Sequence, residues 1–377
     1  MRFPIHRTLL AAAAGVLLFL AACSKKEFSG DDPFPYTPTQ SVYISSQNQF
    51  VYAFEPLSGK KKWEFHTDGN VSATPFLLNN KLYVPTENGS LYKLAADTGT
   101  EFHRYTFLAQ LKSSPVGENN RLYLGTDNDT VYAINVDADT ILWKFGTGGA
   151  VQSSPVIWND FVIFGSNDGK LYAVNKITGD EVWNFASPAG GSFKSSPAAK
   201  GAYVYAGCSD GNLYALNALT GLQAWSFSTG NEIASSPAAY SGNVLFGSNN
   251  HNIYCLDSAT GLERWHFPTG DRIYSSPVGY EQVVYVGSYD FSVYAINIIE
   301  GSLKWKFNTG ALVKSSPLAW NGRIYIGSFD RMLYALDTAA GAVLWKQNIN
   351  GLIETSPVGD DKSGNGRYPS ISGGSSN

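Results

Sequence analysis

The sequence predicts an all-β fold, an eight-bladed β-propeller of four-stranded antiparallel blades, and three columns of residues predict it. Prolines recur about every 40 residues, at Pro75, Pro115, Pro155, Pro197, Pro237, Pro277, Pro317 and Pro357. Tyrosines keep the same period at Tyr52, Tyr92, Tyr132, Tyr172, Tyr214, Tyr254, Tyr294 and Tyr334. Tryptophans follow at Trp63, Trp143, Trp183, Trp225, Trp265, Trp305 and Trp345, with His103 standing where the second is due. Self-similarity at this period marks a radial or stacked array of one supersecondary unit.

The first 40 residues precede the repeats. Arg2 and Arg7 form a positive start, and Thr8 to Leu20 is an apolar run short for a bilayer span, so residues 1–22 read as a signal peptide. Leu20-Ala21-Ala22-Cys23 resembles the bacterial lipobox, which implies a lipid on Cys23 and a membrane anchor there. Ser24, where an aspartate would signal retention in the inner membrane, implies the outer membrane. Residues 23–40, with Pro33, Pro35 and Pro38, read as an extended tether.

Residues 231–270 serve as the template of one repeat. Ile233–Pro237 is expected as a first strand, Val244–Gly247 as the second, Ile253–Leu256 as the third and Glu263–Phe267 as the fourth. Each run is short, β-branched or aromatic, and bounded by Gly, Asn, Asp or Ser. No window of helical length carries a 3.6-residue period. Four strands per repeat describe an up-and-down meander per blade.

Other columns have structural readings. An Asn or Asp stands four residues before each Tyr, from Asn48 to Asp330, and suits the left-handed backbone of tight turns. A proline at the start of an inner strand must lie where no ladder N–H is needed. Gly125, Gly165, Gly207, Gly247, Gly287 and Gly327 permit close backbone approach where blades converge.

The repeats begin in a second strand, Ser41–Ile44, and end in a first strand, Leu352–Val358. One blade is therefore expected to be completed by both termini, leaving no open edge in a propeller spanning residues 41–359. Residues 360–377 are Gly/Ser-rich and read as a flexible tail. Cys208 and Cys255 occupy different columns and read as small buried residues without a disulfide.

Charge excludes one class of partner. The 27 basic residues, less Arg2 and Arg7, face 31 acidic ones, so the mature chain is acidic and offers no general attraction for nucleic acid. No histidines are spaced as metal ligands, and Asp361-Lys362-Ser363 lacks the distal acid of a calcium loop. No metal site, phosphate loop or catalytic residue is expected.

The segment Ala215-Leu216-Asn217-Ala218-Leu219-Thr220-Gly221-Leu222-Gln223-Ala224-Trp225 resembles the tryptophan-docking motif of the PQQ-repeat, or quinoprotein-like, superfamily. That resemblance covers roughly residues 41–359 and implies that each Trp packs on the neighbouring blade. His103 and Asp139 depart from it, replacing the Trp of the second unit and the glycine of the third. Quinoproteins suggest oxidation of alcohols or sugars with PQQ and calcium, but this chain lacks their Cys-Cys pair and pocket-building loops, so neither cofactor is expected. The lipobox, blade number and Trp repeats together resemble the BamB family of outer-membrane assembly lipoproteins. This implies a monomeric, non-catalytic scaffold that holds a protein partner, such as a barrel-assembly component, at the periplasmic face of the outer membrane. The alternatives are a PQQ-dependent dehydrogenase, or degenerate relative, and a surface-exposed lipoprotein that binds a glycan or other ligand.

What varies between repeats is the place to look for a binding site. Three residues before each proline stand Ser72, Lys112, Gln152, Lys194, Ala234, Tyr274, Lys314 and Glu354, each preceded by an apolar residue. Alternation directs the two columns to opposite faces. The variable ring is therefore expected around the channel mouth, where Lys112, Lys194 and Lys314 would meet acidic groups and Tyr274 would be a contact anchor.

Overall fold

The computed structural model describes residues 40–362 and 366–368, so the expected signal peptide, Cys23 and the expected tether up to residue 39 lie outside the described residues. Every regular element described is a β-strand. The strands form eight antiparallel sheets in ring order. The fifth blade shows the plan: Ala198–Lys200 is innermost, followed outwards by Tyr203–Gly207, Asn212–Asn217 and Gln223–Ser228.

The ring closes in the first blade. Its inner strand Val358–Asp360 comes from the end of the chain and pairs with Ser41–Ser46 from the beginning, in the register Ser41↔Asp360, Val42↔Gly359, Tyr43↔Val358. The Tyr43 hydroxyl ties the closure further, lying 3.0 Å from the buried Asp360 carboxylate, and also bonds Ala96 O of the second blade at 2.9 Å.

The inner strand begins later than the sequence suggests. In the sixth blade it is Ala238–Tyr240, and Ile233–Pro237 is an extended crossing segment that precedes it. Proline explains the shift, because it cannot donate to a ladder and so stands just outside the strand. Burial still alternates along the crossing: the apolar column from Val71 to Ile353 is fully buried, and the variable column is not.

Each Trp does dock on the next blade. The Trp183 indole N–H donates to Ala218 O at 3.1 Å, and the ring covers Gly221, whose φ is +71°. A Cβ there would lie 2.7 Å from the indole, so only glycine fits. Equivalent bonds join Trp63 to Ala96, Trp143 to Lys176, Trp265 to Ile298, Trp305 to Thr338 and Trp345 to Pro56. Trp225 is the exception, with no partner for its indole nitrogen; the matching carbonyl, Ser258 O, keeps the bond from Tyr205 that Ala96 O, Lys176 O, Thr338 O and Pro56 O accept from their own tyrosines alongside the indole.

The Asn/Asp column works differently from the expectation. Six of its eight members bond the Tyr hydroxyl four residues on, as in Asp168–Tyr172 at 2.7 Å and Asp330–Tyr334 at 2.6 Å. The left-handed residue is the next one along, such as Gln49, His251 or Arg331.

Two further findings concern the ends of the repeat reading. Residues after 359 are not all loose: Gly366–Arg367 forms a strand beside Val358–Asp360, and Tyr368 packs against the second blade, so the packed body runs past the expected boundary. No repeat copy announces this segment. Cys208 and Cys255 are buried free thiols, and burial pushes both up to about 12. Both therefore stay protonated at neutral pH and should resist iodoacetamide until urea unfolds the chain, as peptide mass spectrometry would show.

Candidate functional site

The centre of the molecule is a closed ring of hydroxyls. The backbone N–H of Thr74 donates to Ser114 Oγ at 2.9 Å, and Ser114 N–H donates to Ser154 Oγ at 3.0 Å. The relay continues through Ser196, Ser236, Ser276, Ser316 and Ser356, whose N–H returns to Thr74 Oγ1 at 3.0 Å. These residues line a cavity of about 140 Å³ on the axis. The small residue before each proline therefore joins one blade to the next, a role that only its regular spacing signals in the sequence. Among the described residues no imidazole or carboxylate bonds these hydroxyls; each is engaged by the backbone N–H of the neighbouring blade.

The neighbouring serine column turns inward. Ser153 Oγ accepts from Gly165 N–H at 3.0 Å, and Ser195, Ser235, Ser275 and Ser315 serve their own glycines in the same way. In the second blade Pro85 replaces the glycine and offers no N–H, and there the serine is Ala73. The two departures are one event, because a hydroxyl with no donor opposite would be buried at a cost.

The variable ring lies above the hydroxyl ring and meets a second ring that sequence reasoning missed, made of the residues five before each Tyr. Lys112 pairs with Asp127 at 3.2 Å, and Gln152 donates to the same carboxylate at 3.1 Å. Lys314 pairs with Glu354 at 3.0 Å, and Gln47 donates to Glu354 at 2.7 Å. Tyr274 stacks on Tyr289 with ring centroids 4.7 Å apart, and burial chiefly pushes the Tyr289 phenol up to about 12. Lys194 alone of the three lysines is exposed and has no ion-pair partner among the described residues. Ser72 Oγ, Asn167 Oδ1 and Asn249 Oδ1 on this rim are buried without a hydrogen-bond partner. Ala234 adds nothing polar. The rim thus consists of two satisfied ionic clusters, a stacked tyrosine pair and one free cation.

The residues do not fit PQQ with calcium. That pair needs a cluster of anionic oxygen donors, and among the described residues no three His, Cys, Asp or Glu side chains converge on a metal position. The two cysteines stand in separate blades, so no adjacent pair covers a quinone.

The ring of eight blades, seven of them docked on the next by a tryptophan, defines the class: a β-propeller of PQQ-type repeats. The family described as outer membrane protein assembly factor BamB matches residues 20–110, 104–231 and 214–351, and the chain belongs to it. A search of curated proteins finds no match. Among solved structures, BamB from Moraxella catarrhalis superposes with a TM-score of 0.65 at 19% identity, covering 80% of this chain and 89% of that one. A europium-containing methanol dehydrogenase gives 0.68 at 14% identity, over 78% and 81%. The computationally designed Ika8 protein gives 0.68 at 16%, over 79% and 96%. These likenesses concern the fold.

Proposed function

We propose that this chain is a non-catalytic scaffold, held by a lipid on Cys23 at the periplasmic face of the outer membrane, that carries a partner of the barrel-assembly machinery on its channel rim. The observation that carries the reading is the rim itself. The Pro, Ser, Gly, Tyr and Trp columns are consumed in joining strands and blades, and what differs from blade to blade gathers around one mouth. Lys194 and the Tyr274–Tyr289 pair are the contact groups, since a free cation and a stacked aromatic suit an acidic, aromatic-accepting surface. Membership of the BamB family supports an assembly component as the partner.

The ion pairs decide which variants test this. Reversing Lys112 or Lys314 would set like charges beside Asp127 or Glu354 and disturb the rim itself. Lys194→Glu with Tyr274→Ser avoids that. Crosslinking in native membranes followed by pull-down should recover a barrel-assembly component with the parent chain and at least tenfold less with the double variant. Equal recovery would remove the rim from the proposal, and recovery of no assembly component by the parent would remove the partner. Protease treatment of intact cells separates a periplasmic chain, which survives, from a surface lipoprotein. The dehydrogenase alternative rests on the methanol dehydrogenase likeness, and dye-linked alcohol oxidation with added PQQ and calcium would restore it; none is expected.

A further inference from the structure

The channel is lined by strand edges. In each blade the inner strand is only three residues long and turns its outer edge to the axis, where backbone groups have no neighbouring strand to pair with. At two adjacent blades the chain fills these edges itself. Gly366–Arg367 pairs antiparallel with the axial side of the first blade, in the register Gly359↔Arg367 and Asp360↔Gly366. Tyr368 then crosses to the second blade. Its ring stacks on Phe76 at 4.9 Å and 12°, and its hydroxyl accepts from Leu77 N–H at 2.5 Å and donates to Leu77 O at 3.0 Å. One side chain thus caps both polar groups of an open edge.

The local chemistry is selective. A Cβ on Gly366 would lie 2.3 Å from the Tyr368 hydroxyl and push the anchoring ring from its seat, so glycine is favoured two positions before the tyrosine. Asp360 and Asp361 anchor the entry through Lys362 at 2.7 Å and Arg367 at 2.8 Å. The seat therefore reads a short extended segment of the pattern Gly-x-Tyr, by main-chain pairing followed by an aromatic anchor with a hydroxyl.

We propose that the axial edge formed by Val358–Asp360 and Phe76–Leu78 is a strand-accepting site for such segments, which the chain's own Gly366–Tyr368 occupies in cis and a Gly-x-Tyr segment of another protein takes in trans. The ladder in cis is two residues long, which makes it displaceable, whereas the seat on Phe76 and Leu77 belongs to the rigid ring. The site lies at the inner strands, below the hydroxyl ring, and does not depend on what the rim recruits.

The test uses purified protein and a fluorescent peptide carrying residues 361–377. Anisotropy is read for the intact chain, for a chain ending at Lys362, and for intact Tyr368→Ser, which keeps the tail if truncation unfolds the propeller. The peptide should bind the truncated chain and the Tyr368→Ser chain at least tenfold more tightly than the intact one. Phe76→Ala in the truncated or Tyr368→Ser chain, and serine for tyrosine in the peptide, should each abolish that gain. Equal binding to all chains, binding to none, or binding indifferent to Phe76 would overturn the site.

Discussion

Trp183→Ala lowers the stability of the propeller by about 3–5 kcal/mol, in the range of large aromatic truncations in a core. Trp183 is buried, its indole N–H is bonded to Ala218 O, and its ring lies across the turn of the next blade. The loss is therefore a loss of blade-to-blade contact, not of a single strand. Gly221→Ala alone should cost about 3 kcal/mol, the sum of a left-handed backbone and a methyl driven into a ring that cannot move. The revealing measurement is the double variant. With the indole gone the methyl has room, and only the backbone cost of about 1 kcal/mol remains. Urea unfolding followed by circular dichroism should show that Gly221→Ala is about 2 kcal/mol cheaper in the Trp183→Ala background. Strict additivity would mean that the glycine answers to its turn and not to the tryptophan.

The columns were legible because eight near-copies reveal what every blade needs. The Trp lock, the turn glycines, the closure by both termini and the buried apolar column all repeat, and repetition separates structural need from chance. What could not be read was pairing across columns. Ala73 with Pro85, and Lys112 with Asp127, are partners only because the sheet brings them together, and each looks like an isolated substitution in the chain. The inner strand was placed too early because Ile233–Pro237 alternates in burial like a strand while crossing between blades. Proline marks where the ladder begins, not where the extended chain begins. Gly366–Tyr368 was missed for the opposite reason: it occurs once, so no column could expose it. The hydroxyl ring lay in plain view as the serine before each proline, but its function as a circular set of bonds needs the eightfold geometry to be seen.

His103→Trp should destabilise the chain even though it restores the residue that seven other units carry. At those seven seams the ring lies on a glycine whose Cβ would stand 2.6–2.7 Å away. At the seam after the second blade the matching residue is Asp139, held at φ +51°, and three coordinated changes surround it. Lys93 replaces the small residue of its column and, with only 12% of its side chain exposed, donates to Val136 O at 2.5 Å and Asp139 at 2.9 Å. Tyr105 replaces a phenylalanine and bonds the same carboxylate, and the His103 ring meets it edge-on at 4.5 Å. A polar latch of Lys93, His103, Tyr105 and Asp139 has taken the place of the indole. A tryptophan at 103 would strike Asp139 and crowd Lys93, for a loss of about 2 kcal/mol. Asp139→Gly alone would leave the largely buried Lys93 without its carboxylate, for a loss of about 1–3 kcal/mol. The triple variant Lys93→Ala, His103→Trp, Asp139→Gly removes the latch and rebuilds the lock, and it should be at least as stable as the parent chain in urea. Two harmful changes that become harmless together, with the third, are the signature of one interaction written at three positions. If the losses simply add, the latch and the lock are not alternatives, and the seam must be held by contacts outside these residues.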